Sequence, residues 1–166
     1  MMQSHSSFNK TIAHKNSNYP STQQELLSDL PSNQKLQEML DGKDPQGIVR
    51  YAERIAERSV KSPNSLNTSQ IRNIYGYVKK LELAQDKIDV VGKLVLIKPK
   101  LAYAIGRNPR VDGLKILQKV LGDAVDMIDS NTEIRFQNFC RFFEAILAYH
   151  KYYDEMEKQQ KSERRR

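Results

Sequence analysis

Cysteine and glycine are scarce in this sequence and tryptophan is absent, and the first two shortages exclude several kinds of site. The single cysteine, Cys140, excludes an internal disulfide, and a metal cluster would need histidine and aspartate for every other ligand. The seven glycines stand singly, so the chain has no glycine-rich phosphate loop. Cys140 lies in an aromatic-rich segment, which favours a small buried side chain over a nucleophile.

Long apolar runs are missing as well. No stretch of 18 apolar residues occurs, so the sequence predicts no membrane-spanning helix. The first ten residues, MMQSHSSFNK, lack the apolar core of a secretory signal peptide. We therefore expect a protein of the reducing cytoplasm, and 166 residues suit one domain better than two.

The motifs of common enzyme classes are also absent. The sequence has no Cys-x-x-Cys and no His-Glu-x-x-His. Of the three histidines, only His150 lies outside a low-complexity segment. His150 shares a helical face with Asp154, an arrangement more typical of a local i,i+4 salt link than of an acid–base pair. We therefore expect no catalytic residue, no metal and no cofactor.

Positive charge is what the sequence has in excess, and it is unevenly distributed. The formal net charge is +7, and residues 68–110 carry nine Lys or Arg against three Asp or Glu, a net +6. Residues 1–67 carry a net +1, and residues 111–166 are neutral. A basic patch concentrated in this way points to an anionic partner, most often a phosphate backbone. A solvated face that keeps the protein soluble explains the charge equally well.

Composition divides the chain into a domain and two tails. Fifteen of residues 1–34 are Ser, Asn or Gln, which predicts a disordered tail that cannot bury enough apolar surface to fold. Residues 159–166 are charged or polar and are predicted to form a basic C-terminal tail, with helix fraying past about Lys158. Residues 35–158 remain as the folded domain.

Within that domain the apolar residues recur at helical spacing, and no strand pattern is convincing. Asp44 with Pro45 marks one helix start, and Asn67 with Gln70 has the spacing of a capping box. Pro99 disfavours helix at the residue before it. The predicted helices are residues 33–40, 45–62, 68–81, 86–97, 99–105, 111–128 and 132–158. We expect an all-α fold, a compact bundle of five to six helices.

Basic residues of the third predicted helix lie outside its buried stripe. Arg72 and Lys79 are seven residues apart on one face, with Gly76 between them and Lys80 beside them. A glycine at such a place lets a backbone or another helix approach closely, at a cost of about 1 kcal/mol in helix propensity. Close packing against a neighbouring helix of the bundle is an equally good explanation of Gly76.

A second basic group surrounds the short predicted helix after Pro99. Its charges could follow successive phosphates, because Arg makes bidentate phosphate contacts and Lys supplies a point charge. Tyr103 could stack on a base, although a tyrosine in an apolar helix more often lies in the core. The four basic residues of this group are Lys98, Lys100, Arg107 and Arg110.

Three stretches go beyond composition: TSQIRNIYGYVKKLE at 68–82, KPKLAYAIGR at 98–107 and FCRFFEAILAYHKYY at 139–153. In this order they resemble the small helical subunit of type III-A CRISPR–Cas (Csm) effector complexes. The resemblance covers residues from about 45 to 153 and leaves both tails outside it.

The resemblance implies a non-catalytic subunit of a ribonucleoprotein that acts in antiviral defence. Several copies of such a subunit stack along the inner side of the complex, beside the backbone subunits that hold the guide RNA. They help to line the channel in which target RNA pairs with the guide. Its implied partners are guide RNA, target RNA, the backbone and large subunits, and further copies of itself. Cleavage of RNA and DNA belongs to the backbone and large subunits.

Four basic residues of this sequence match basic positions of the family, and the resemblance implies only a general RNA-proximal role for them. They are Arg72, Lys100, Arg107 and Arg141. Arg141 could instead pair with Glu144 one turn further on. Together with the charge pattern, the full predicted RNA-binding set is Arg72, Lys79, Lys80, Lys98, Lys100, Arg107, Arg110 and Arg141.

Backbone and shape contacts would suffice for such a subunit, because base pairing with the guide reads the sequence in RNA-guided systems. Two other interpretations remain open. The chain could be a free-standing helical adaptor whose basic face binds an acidic protein. It could also bind DNA, although no helix-turn-helix pattern is clear.

Overall fold

A computed structural model describes residues 30–62, 64–84, 89–129 and 133–165. Six of the helices in these ranges have eight residues or more, one is shorter, and no strand occurs within them. This confirms the predicted all-α bundle. The helices are α1 (Asn33–Leu40), α2 (Pro45–Lys61), α3 (Thr68–Leu83), α4 (Val90–Leu94), α5 (Ile97–Arg107), α6 (Asp112–Asp126) and α7 (Glu133–Glu163).

Side-chain caps begin α2 and α3 where the sequence predicts them. The Asp44 carboxylate accepts a hydrogen bond from the Gly47 N–H at 2.8 Å, and Pro45 occupies the first turn of α2. At α3 both bonds of the capping box are present: the Gln70 N–H donates to Asn67 at 2.9 Å and the Asn67 N–H donates to Gln70 at 3.0 Å. These bonds satisfy N–H groups that a helix start leaves without partners.

The long helix α7 forms the centre of the bundle. It packs against α2, α3 and α1, and its buried side chains include Phe136, Phe139, Phe142 and Phe143. The Tyr75 ring of α3 meets the Phe143 ring edge-on at 5.4 Å between centroids. Helix α6 packs on α2, and α5 packs on α6 and α3. Apolar residues on most sides of α7 fit a helix that other helices surround.

The folded part begins earlier than the predicted boundary at residue 34. Leu30 packs against the core, and Pro31 is buried. The Ser32 hydroxyl accepts from the Lys35 N–H at 3.3 Å and caps α1. Residues 30–34, which the predicted division of the chain assigns to the tail, thus include a core contact, the cap and the first residues of the helix predicted from residue 33. Residues 1–29 lie outside the described residues.

The region around Pro99 also differs from the prediction. Of the predicted helix over 86–97, residues 86–88 lie outside the described residues. Within the rest, α4 has five residues, and Val95 and Leu96 beyond it are exposed. Lys98 is helical, since α5 begins at Ile97 and holds Pro99 in its first turn. A proline there costs no hydrogen bond, because first-turn N–H groups have no acceptor within the helix. Helix α5 also continues through Gly106 to Arg107 instead of ending at residue 105.

Helix α7 runs to Glu163, past the predicted fraying point at Lys158. Ion pairs one turn apart line this exposed segment: Lys151 with Glu155, Lys158 with Asp154 and Lys161 with Glu157. Such pairs each stabilise a helix by a few tenths of a kcal/mol, about 0.2–0.5. Across the described ranges, no helix combines the length and apolar character that a bilayer crossing needs.

Candidate nucleic-acid interface

Seven of the eight predicted RNA-binding residues lie on helices α3 and α5, which pack against each other, or in the turn that follows α5. Tyr77 joins these elements: its hydroxyl donates to the Lys93 carbonyl in α4 at 2.6 Å. The Lys100 ammonium of α5 lies 4.6 Å from the centroid of the same ring. Burial raises the pKa of Tyr77, so the phenol stays neutral and keeps its donor. The contact between Lys100 and Tyr77 fixes the basic side of α5 against α3.

Five of these cations have no ion-pair partner among the described residues: Lys100 and Arg107, which contact only the Tyr77 and Tyr103 rings, and three others. Arg72 and Lys80 on α3 and Arg110 in the turn after α5 are exposed. Within the described ranges, none of the three side chains makes an ion pair or a hydrogen bond. Their full charge is therefore open to an outside anion.

Two further lysines of the predicted set are already paired with acidic residues. The Lys79 ammonium lies 2.8 Å from a Glu82 carboxylate oxygen, and this hydrogen bond raises the pKa of Lys79. The Lys98 ammonium contacts Asp126 at the end of α6. Both lysines thus contribute less to the positive electrostatic potential of the surface than unpaired lysines would.

Arg141 lies in a different neighbourhood from the other seven residues. Its guanidinium donates to the Asn138 side chain at 3.0 Å, and Asn138 in turn donates to the Leu40 carbonyl at the end of α1 at 3.0 Å. Arg141 and Glu144 are both described and make no ion pair with each other, so the alternative of a bridge within α7 is not realised. The contacts of Arg141 support a structural role at the junction of α1 with α7.

Tyr103 and Gly76 both lie in more open surroundings than the sequence predicts. The Tyr103 side chain is 67% exposed, so it does not lie in the core, which was one of the two positions that the sequence leaves open. The Arg107 guanidinium carbon lies 5.8 Å from the centroid of its ring. A Cβ added to Gly76 would meet no described atom within 4 Å, which removes close packing inside the bundle as the reason for this glycine.

The buried titratable groups of α7 do not form a catalytic site. His150 Nε2 lies 2.8 Å from the Leu66 carbonyl oxygen, and burial lowers the pKa of the ring. Asp154 instead accepts from Thr68 at 2.9 Å and from Lys158 at 2.8 Å, so the predicted salt link to His150 is wrong. Burial raises the pKa of Cys140 to about 12, as expected for a core thiol. The described residues contain no cluster of three or more possible metal ligands.

Tyr77 is the residue of this interface that sequence reasoning missed. A signal for it existed, because Tyr77 falls off the buried stripe of α3 that Ile71, Ile74 and Val78 define. The neighbouring elements α4 and α5 supply a hydrogen-bond acceptor and a cation for this tyrosine.

The described geometry is thus a basic surface with an exposed ring, and comparison with known proteins identifies the family of the chain. The Csm2 Type III-A family model matches residues 42–156. The chain is 30% identical over 132 residues to the CRISPR system Cms protein Csm2 of Enterococcus italicus, which covers 72% of this chain and 93% of that protein.

It is 29% identical over 114 residues to the protein of the same name from Streptococcus thermophilus, which covers 65% of this chain and 92% of that protein. No solved structure gives a significant match. The family match spans more than half of the chain and includes α2 to α6 and most of α7. The chain therefore belongs to the Csm2 family, the small subunits of type III-A CRISPR effector complexes.

Proposed function

We propose that this small subunit contacts the backbone of the guide RNA–target RNA duplex, and that several copies stack along the effector complex in antiviral defence. The contact surface is here called the α3–α5 basic surface and comprises Arg72, Lys80, Lys100, Arg107 and Arg110. Its partners would be both RNA strands, the backbone and large subunits and further copies of the chain, in the cytoplasm. Like other members of its family, the subunit is non-catalytic.

The observation that carries this proposal is the set of unpaired cations on the α3–α5 basic surface. All five residues of that surface lack an acidic partner among the described residues, whereas Lys79 and Lys98 beside it are paired. A cation that gives up no internal ion pair can neutralise a phosphate and release the counterion bound there.

Sequence-independent contacts of this kind fit an RNA-guided complex. Base pairing between guide and target reads the sequence, so a subunit beside the duplex needs only shape and charge. A few weak phosphate contacts per copy become strong when several copies are held in one assembly, because each further contact forms at high effective concentration.

The proposal is tested in the assembled complex by measuring target-RNA affinity against salt for Arg72→Ala, Lys80→Ala and Lys100→Ala. Each lost phosphate contact should weaken binding modestly for every target sequence and lower the salt slope by roughly one unit. Lys79→Ala is the matched control on the same helix, since Glu82 already neutralises that charge. It should change affinity and slope less than its neighbour Lys80→Ala.

Gel filtration of each variant complex separates the possible outcomes. If all three variants assemble normally with unchanged RNA affinity and salt slope, this surface does not contact RNA. Failure to assemble would instead place the surface against a protein subunit, as the adaptor interpretation requires.

A further inference from the structure

Tyr103 is the most exposed aromatic side chain among the described residues. It is 67% exposed, and Tyr152 follows at 56%, whereas Phe136, Phe139, Phe142 and Phe143 are buried. An aromatic ring held in water forfeits the apolar burial that aromatic residues usually contribute. The position of Tyr103 therefore calls for an explanation other than stability of the fold.

Cations lie on both sides of this ring. Lys100, Tyr103 and Arg107 are three and four residues apart, so they share one face of α5. Lys100 and Arg107 are separated by about 10.5 Å along the helix axis, with the ring between them. The Arg107 guanidinium carbon lies 5.8 Å from the ring centroid, near the outer limit of a cation–π contact.

A small residue keeps the ring accessible. Gly106, one turn from Tyr103, has no side chain, and a Cβ placed there would meet no described atom within 4 Å beyond its chain neighbours and its own helix backbone. A long side chain at that position could cover the ring, so a planar ligand has room to approach a face of Tyr103.

We propose that Tyr103 stacks on an unpaired base of the bound RNA while Lys100 and Arg107 hold phosphates on either side of that nucleotide. This inference rests on the proposed function, in which RNA contacts the α3–α5 basic surface. Backbone contact alone needs only the cations, and paired bases inside a duplex already stack on each other. An exposed ring between two phosphate-binding groups instead matches single-stranded sites, where bases stack on aromatic side chains whatever their identity.

A tryptophan at position 103 provides the test, because the chain has no natural tryptophan. Tyr103→Trp retains a stacking surface and introduces one fluorophore whose emission is quenched when a base lies against it. The full-length variant is titrated at low salt with a single-stranded RNA oligonucleotide and with an abasic ribose-phosphate strand of equal length and charge. The RNA should quench the indole, and the abasic strand should bind without comparable quenching.

Tyr152→Trp is the matched control, since Tyr152 is a similarly exposed tyrosine on α7, beside the ion pair between Lys151 and Glu155. It should show little quenching with either strand. Equal quenching by RNA and by the abasic strand at position 103 would overturn the stacking inference.

Affinities give an independent readout. Tyr103→Leu should weaken RNA binding roughly fivefold or more and leave abasic binding unchanged, and Tyr103→Phe should retain wild-type affinity. If both strands bind but Tyr103→Leu has no effect, base stacking is overturned and the backbone contacts stand. If neither strand binds the wild-type chain at low salt, both the stacking inference and the proposed RNA contact fail.

Discussion

Two glycines of α6 show how much depends on the surroundings of a single residue. A Cβ added at Gly113 would lie 2.6 Å from the Leu66 Cβ and 3.0 Å from the Ser59 Cβ. A Cβ added at Gly122 would meet no described atom within 4 Å. The start of α6 thus approaches the end of α2 and the following loop too closely for any side chain, whereas the middle of the same helix does not.

We therefore expect Gly113→Ala to lower the free energy of unfolding by about 1–3 kcal/mol, the usual cost of overpacking. Gly122→Ala should leave it unchanged or raise it by up to about 1 kcal/mol, because alanine is the better helix former. Urea denaturation of both variants gives the comparison. Equal stability of the two variants would show that α6 shifts away from α2 at no cost.

His150 is buried, and its ring makes a single hydrogen bond. Nε2 faces the Leu66 carbonyl, so Nε2 carries the hydrogen, while Nδ1 has no partner among the described atoms. Burial lowers the pKa of the ring, and the Leu66 carbonyl and the Asp154 carboxylate oppose that shift. Protonation therefore opposes folding, because the charged ring would lose its hydration.

The direction of this shift predicts how stability changes with pH. The unfolded chain binds the His150 proton more tightly than the folded chain does. The contribution of His150 to the free energy of unfolding is therefore complete above an ordinary histidine pKa of about 6.5, and it is lost as the pH falls toward the lower folded-state pKa.

His150→Gln keeps a donor for Leu66 and should flatten the stability curve below about pH 6.5, at a cost of about 1–3 kcal/mol near pH 7.5. Chemical denaturation of both proteins from about pH 5 to about pH 8, the range in which histidine titrates, would measure this. Parallel curves would mean that other groups cause the pH dependence.

At the scale of elements, α3 connects the core to the candidate interface. One face buries Ile71, Ile74, Val78 and Leu81 against the bundle, and the other carries Arg72 and Lys80. The start of the helix depends on the capping box of Asn67 and Gln70. Without the capping box, the first turn would fray, and Arg72 in the second turn would be less well ordered.

Asn67→Ala should accordingly cost about 0.5–2 kcal/mol of stability, since alanine cannot accept from the Gln70 N–H. Asn73→Ala on the exposed side of the same helix is the control and should change stability by less than about 0.5 kcal/mol. Thermal unfolding followed by circular dichroism provides the measurement. An Asn67→Ala variant as stable as Asn73→Ala would show that packing alone sets the start of α3.

At the scale of the whole molecule, the N-terminal limit of the folded domain can be tested by two deletions. Removing residues 1–29 should change the free energy of unfolding by less than about 1 kcal/mol if, as their composition predicts, they bury little apolar area. Removing residues 1–34 also deletes the core contact of Leu30 and the Ser32 cap. We expect that longer deletion to cost about 1–3 kcal/mol more. A large loss already in the shorter variant would show that residues 1–29 dock on the domain.

The sequence by itself determined the features that depend on neighbours a few residues away. Local features include the helical period, the Asp44 cap and the Asn67–Gln70 capping box. They involve residues within one turn of each other, so the sequence alone predicts them. The buried stripe of α3 and the all-α class follow from the same local periodicity. The motifs of α3, α5 and α7 also carried the family resemblance that the comparisons confirmed.

Only the tertiary structure decided the matters that depend on residues far apart in the chain. His150 meets a carbonyl 84 positions away, Lys98 meets Asp126, and the Asn138 side chain donates to the Leu40 carbonyl at the end of α1. Tyr103 is exposed because α5 turns its other face, with Ile97 and Leu101, toward α3 and α6. Exposure and pairing of a side chain are set by whichever elements pack beside it, and no local pattern contains that information.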